Sequence, residues 1–175
     1  MSESELSFLA FYDPLTGLYK RSRFTELAKR LLEQSRLLQS FCAVYFLDLN
    51  GFKAINDAAG HRTGDEALGL VARKLREARG PGDLIGRYGG DEFFVFVCRP
   101  SLAQVLSAGQ TLALALRFNF EVGGRSFPLS AALGTAYGDN ETLTIDQLID
   151  RADRAMYMHK AQSKESRAAM KAVRS

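Results

Sequence analysis

Two adjacent carboxylates, Asp91 and Glu92, stand directly after a pair of glycines, Gly89 and Gly90, and an apolar run from Phe93 to Cys98 follows them. Glycines in a tight turn leave a bulky anion such as a nucleotide phosphate free to approach the backbone closely. A third carboxylate, Asp48, interrupts the apolar run from Phe41 to Leu49 near its end. Burying a carboxylate without a partner is costly, so a cation or hydrogen-bond donors should meet it. The plainer alternative for the first pair is a hairpin with a solvated acidic tip, which a lone Gly-Gly-Asp-Glu suggests about as often. For Asp48 alone, the alternative is a strand-end residue that caps the next turn.

The elements that must position these groups can be read from spacing. Leu84–Tyr88 and Phe93–Cys98 read as two strands around a loop at Gly89-Gly90. Phe41–Leu49 reads as a buried strand, and Asn50-Gly51 turns it into a short helix from about Phe52 to Ala58. Gly60–Asp65 reads as a loop, followed by a helix with Leu68, Val71 and Leu75 on one face, ended by Gly80-Pro81-Gly82. Ser22 and Ser101 are placed to cap two further amphipathic helices. Phe118–Val122 and Phe127–Tyr137, joined through Gly123-Gly124, read as a second hairpin, and Ile145 to Met156 carries the last helical stripe. Hairpins dominate and βαβ alternation is absent. The expected fold is therefore α+β, with a central, mainly antiparallel, five-stranded sheet covered by helices.

The chain is 175 residues long, enough for one domain with a real core. Hydrophobic residues make up 46% and charged residues 25%, which excludes disorder. A net charge of +3, with basic residues dispersed until Lys160–Arg174, gives no case for a nucleic-acid partner. No apolar run approaches the roughly 18 residues of a membrane span, and Met1–Glu5 is no signal peptide. Cys42 and Cys98 fall in apolar, strand-like runs and read as core thiols of a cytoplasmic protein. Residues 1–12 read as a linker helix, 13–164 as the domain and 165–175 as a basic tail.

Five segments carry a resemblance: Asp13–Leu18 (DPLTGL), Asp48–Asp57 (DLNGFKAIND), Gly60–Asp65 (GHRTGD), Gly89–Phe93 (GGDEF) and Ala152–Tyr157 (ADRAMY). In this order and spacing the chain resembles the GGDEF family of diguanylate cyclases. The resemblance implies a nucleotide-cyclase-like fold related to polymerase palms, and condensation of two GTP into cyclic di-GMP with release of pyrophosphate. It implies Mg²⁺ (or Mn²⁺), which takes hard oxygen ligands, held by Asp48, Asp91 and the backbone carbonyl of Leu49. Asp91 is then also a candidate to deprotonate the attacking hydroxyl, Glu92 a second acid, and Lys53 a point charge on phosphate. Asn56 and Asp65 match guanine-reading positions, with Asp65 also suited to cap the next helix. His61 falls beside the ligand, Gly89 and Gly90 at the phosphates, and Asp13 pairs with Arg21 to brace the opening turn. The product is two-fold symmetric, so the resemblance implies a transient homodimer with one GTP per subunit. Sensor or phosphodiesterase domains are expected in a longer protein.

The departures are equally specific. Asn50 stands where a second aspartate is usual, and Ser163 and Lys164 replace a Gly-Arg pair, so Lys160 and Lys164 carry the triphosphate as point charges. The family's product-inhibition motif, Arg-x-x-Asp, puts its aspartate at Asp83 and its arginine at residue 80, which is glycine. Arg79 is displaced by one, and one helical step turns a side chain by about 100°. The inhibitory site built on Arg79 and Asp83 is expected to be weak or absent. The alternative to an active cyclase is a module that binds GTP or cyclic di-GMP and regulates an attached domain.

Overall fold

The structure is a computed structural model and describes residues 2–138 and 143–173. Its elements run α1 (Glu3–Phe11), β1 (Tyr19–Lys20), α2 (Arg21–Leu37), β2 (Phe41–Asn50), α3 (Phe52–Ala59), α4 (His61–Ala78), β3 (Leu84–Gly89), β4 (Glu92–Arg99), α5 (Leu102–Ala115), β5 (Phe118–Val122), β6 (Arg125–Gly138) and α6 (Ile145–Val173). The strands form one sheet in the order β1-β3-β4-β2-β6-β5. Every pairing is antiparallel except β1 with β3. The α+β architecture is as expected, but the sheet has six strands rather than five. Two-residue β1 is too short to leave a periodic signal, and it forms because Tyr19 and Lys20 run alongside Gly86 and Arg87.

β2 and β4 hold the centre because both of their faces are covered. Ala43, Tyr45 and Leu47, with Phe93, Val95 and Val97, pack with Leu68, Val71 and Leu75 of α4 and Val105 and Leu112 of α5. Cys42, Val44 and Phe46, with Phe94 and Phe96, pack with Phe24 and Leu32 of α2 and Leu148 and Met156 of α6. Alternation along a strand then fixes where the next residues go. Asp48 and Glu92 continue the even-numbered rows, so both belong to the face that α6 covers.

Cys42 lies directly opposite Cys98 in the β2–β4 register, with Cα atoms 4.2 Å apart, and the two sulfurs are bonded. The reading as two free thiols is thereby corrected. It treated the cysteines one at a time, and only strand register brings together positions 56 residues apart. With it goes the thiol-based argument for a reducing compartment. Among the described residues no helix is long and apolar enough to cross a membrane.

At two helix starts a side-chain cap proposed from sequence lost to backbone geometry. α2 starts at Arg21 after Lys20, so Ser22 lies inside its first turn. α4 starts at His61 after Gly60, so His61–Asp65 is helix and Asp65 is not its cap. Ser101 does cap α5, its hydroxyl accepting from the Gln104 N–H. The first hairpin closes through Gly90 and Asp91, since Gly89 already pairs with Glu92, and Gly90 takes φ +51°. α6 stays helical to Val173, through most of the stretch read as a separate basic tail.

The disulfide closes a long loop, so Cys98→Ser should lower stability by about 2–4 kcal/mol. Chemical denaturation of both proteins, with and without dithiothreitol, checks this. Reductant should bring the wild type close to the variant and leave the variant unmoved. Equal stability without reductant would count against a stabilising bond.

Candidate functional site

The acidic groups gather where β2 and β4 end. Asp48 pairs in register with Glu92 on one side and Ala132 on the other. The Leu49 N–H donates to the Asp91 carbonyl at 3.2 Å, which pins the hairpin turn beside β2. Arg87 fixes the turn from the other side, donating to the Gly90 carbonyl at 2.7 and 3.1 Å and to the Asp13 carboxylate at 3.1 Å. The expected Asp13–Arg21 pair is therefore not formed. Arg21 donates to the Tyr88 hydroxyl, while Thr16 and Arg87 hold Asp13. Burial opposes Asp13's ionisation, but the Thr16 hydrogen bonds and the Arg87 charge outweigh it and hold its carboxyl below the ordinary value.

The other acids are pushed the opposite way. Burial raises the Asp91 carboxyl, and the Asp48 charge adds to the shift. Burial likewise raises Glu92, followed by the charges of Asp48, Asp153 and Asp91. Lys160 on α6 opposes both shifts, with Arg87 adding to its effect on Asp91, and places Nζ 2.5 Å from Asp48 Oδ1. That contact is an ion pair without hydrogen-bond direction, because Oδ1 is buried and accepts no well-aligned hydrogen. The acids thus remain under-compensated. Among the described residues no group of three or more His, Cys, Asp or Glu side chains forms a metal cluster. Asp48 and Asp91 would suit a hard cation that takes one or two carboxylates with substrate oxygens.

Beside them opens a cleft of about 340 Å³. Leu49, Lys53 and Asp91 line it together with His159, Lys160 and Lys164 of α6. Asn50 also borders it, and its amide donates across to the Ser130 hydroxyl. Lys53 is highly exposed and tied at 2.7 Å to Asp57, one helical turn along α3. Asp48, Leu49, Asp91, Lys53, Lys160 and Lys164 are thus gathered at one place, with Glu92 beside Asp48 on the face that α6 covers and Gly89 and Gly90 at the turn.

Asn56, His61 and Asp65 do not line this cleft. They form a second group where α3 meets α4, and α3 joins the two places by carrying both Lys53 and Asn56. Asn56 Oδ1 is buried there and accepts no hydrogen bond among the described residues. Gly64 makes the room for it, since a Cβ at Gly64 would fall 1.9 Å from that oxygen. His61 and Asp65 are exposed on the first turns of α4.

Arg79 and Asp83 border a separate cavity of about 310 Å³. Asp83 is only 5% exposed and is gripped by both arms of Arg99, at 2.6 and 2.7 Å. It also accepts the Gly80 N–H at 2.8 Å. A Cβ on Gly80 would sit 2.5 Å from Arg99 Nη2, so the Arg99 guanidinium fills the space next to the expected arginine position. Sequence reading missed Arg99, Arg87, Asp153 and His159. Two of them left a signal: His159 as the neighbour of Lys160 on the last helix, and Asp153 inside the Ala152–Tyr157 segment.

The family model "Diguanylate cyclase, GGDEF domain" matches residues 10–166. Among curated proteins, the cyclic di-GMP phosphodiesterase NbdA of Pseudomonas aeruginosa is 34% identical over 162 residues, covering 91% of this chain and 20% of that protein. The diguanylate cyclase DgcP of Escherichia coli is 35% identical over 153 residues, covering 86% of this chain and 45% of that one. The chain thus spans less than half the length of either relative. Among solved structures, a sensory box/GGDEF family protein from Caulobacter crescentus superposes with a TM-score of 0.81 at 28% identity, covering 86% of this chain and 98% of that one.

A carboxyl raised by folding costs stability wherever it is ionised. For Asp91 that cost is absent below its ordinary value of 3.8 and is complete above its folded value. In chelator-treated buffer, Asp91→Asn should therefore melt higher than the wild type at neutral pH. The gap should close as pH falls through the carboxylate range. Thermal melts from pH 3 to 8 check this, and a variant that melts lower at neutral pH contradicts it.

Proposed function

The chain belongs to the GGDEF domain family, and we propose that it is a diguanylate cyclase that condenses two GTP into cyclic di-GMP with release of pyrophosphate. One observation carries this reading: Asp48, Asp91 and Glu92 converge beside a cleft that Lys53, Lys160 and Lys164 also line. A polyanion that brings a metal ion complements both kinds of charge at once. Asp48, Asp91 and the Leu49 carbonyl would hold Mg²⁺ or Mn²⁺, which would supply positive charge against the negative charge that builds during phosphoryl transfer.

The chain's own groups do the rest. Lys53, Lys160 and Lys164 neutralise the phosphates, and Gly89 and Gly90 let them approach the turn. Asp91, whose ionisation burial opposes, takes the proton from the ribose 3′-hydroxyl, with Glu92 as a second acid. The orphaned oxygen of Asn56 accepts from guanine, Asp65 meets its N–H donors, and His61 lies alongside. One cleft presents one GTP, so the two-fold product requires a second copy facing the first in a transient homodimer. GTP is a nucleotide of the cytoplasm, so the proposed substrate, and no longer the cysteines, is what argues for a cytoplasmic setting, next to sensor or phosphodiesterase domains. Asp83 is committed to Arg99 and position 80 has no room, so product inhibition through Arg79 and Asp83 is weak.

A second reading is favoured by relatives named as phosphodiesterases that contain a similar stretch. In it the domain binds nucleotide and regulates an attached domain without turnover. Incubation with GTP and Mg²⁺ followed by chromatography separates the two. Cyclic di-GMP should form, with specific activity rising with protein concentration. Asp48→Asn and Asp91→Asn should each lose on the order of 100-fold or more while folding normally. Nucleotide binding without product at any concentration supports the regulatory reading and sinks the first. Initial rates with added cyclic di-GMP should change little, and strong inhibition relieved by Asp83→Ala would overturn the weak-site assignment.

A further inference from the structure

The cationic lining of the cleft is not uniform. Lys160 is held by Asp48, and Lys53 is held by Asp57. Among the described residues, the His159 ring and the Lys164 ammonium make no hydrogen bond, ion pair or ring contact, yet both line the cleft. Residues 159, 160, 163 and 164 share one face of a helix by their spacing. The Ser163 hydroxyl donates back to the His159 carbonyl at 2.9 Å, and α6 continues unbroken past both. His159 is therefore carried on a regular helix, not on a loose end, and its ring N–H faces a space with no protein acceptor committed to it. Two groups at one end of the cleft are thus left for a ligand, and both can donate to an anion.

Resting on the nucleotide reading above, we infer that His159 is a phosphate-contacting residue that, with Lys164, grips the terminal phosphates of the bound triphosphate. An imidazole adds a directed N–H beside the point charge of lysine. That supplies the geometric selectivity which Lys164 alone lacks. His159 thus sets the preference for a triphosphate over shorter nucleotides. It does not position guanine, since Asn56 on α3 and Asp65 on α4 lie outside the cleft.

The test compares wild type, His159→Ala and His159→Gln by calorimetry. The probes are an α,β-methylene GTP analogue, which cannot be condensed, and GMP. In His159→Ala the triphosphate analogue should bind about tenfold more weakly, the size of one hydrogen bond to a charged group. GMP affinity should stay within about twofold on the same scale. Gln keeps an N–H donor and should recover part of the loss. In turnover, KM for GTP should rise by the same factor with kcat nearly unchanged. If the wild type binds the analogue and His159→Ala binds it equally well, the inference falls and the cyclase reading stands. An equal loss for analogue and GMP also overturns it, because that marks a structural effect. If the wild type binds no guanine nucleotide, both fall.

Discussion

One close approach sets everything that α6 does. At Gly134 the helix backbone lies on β6 with no side chain between them. A Cβ there would fall 2.0 Å from the Ala152 carbonyl and 2.2 Å from the Met156 nitrogen. Helix and strand therefore meet at one height, and Met156 seats in the core beside Phe46 and Phe94. One turn further along, Lys160 meets Asp48, and one turn back Asp153 bears on Glu92. A larger residue at 134 would lift the helix and loosen both contacts together. The apolar packing of α6 and the charge balance of the cleft are thus one mechanical problem.

The site is organised against its own electrostatic comfort. Alternation along β2 and β4 carries Asp48 and Glu92 to the same face, and the hairpin adds Asp91. Burial and mutual repulsion raise Asp91 and Glu92, while the nearest cation, Lys160, engages Asp48. Local strain of this kind persists because the sheet beneath it is fixed on both faces by packed hydrophobic clusters. By contrast, the Asp83–Arg99 and Asp13–Arg87 pairs are mutually satisfied and act as braces.

What the sequence revealed followed distance along the chain. The doubly covered strands, the stripes on α4 and α6, and the Ser101 cap all rest on local spacing, and all were legible. The five motif segments gave the family for the same reason. The bonded cysteines, Arg99 on Asp83 and Arg87 on Asp13 depend on which strand lies beside which, and in what register. No local pattern contains that. β1 was missed because two residues have no period, and Asp65 was misread because the helix starts after Gly60, ahead of the expected cap. The cleft was half legible: its motif residues were named, but the partners of Lys53 and the presence of His159 required the folded helices.

β2 has neighbours that come late. Its pairing partners are β4 and β6, and the latter sets Asn50 against Ser130, 80 positions downstream. The helix that covers Gly134 and brings Lys160 is later still. During synthesis the carboxylates therefore leave the ribosome long before the lysine that answers them. The apolar face of the sheet likewise waits for Leu148, Ile149 and Met156. A nascent chain stopped before α6 holds the acidic residues and an uncovered hydrophobic surface at the same time, which is the state a chaperone recognises. The answering charge at the cleft and the cover for the apolar face thus arrive together, with α6.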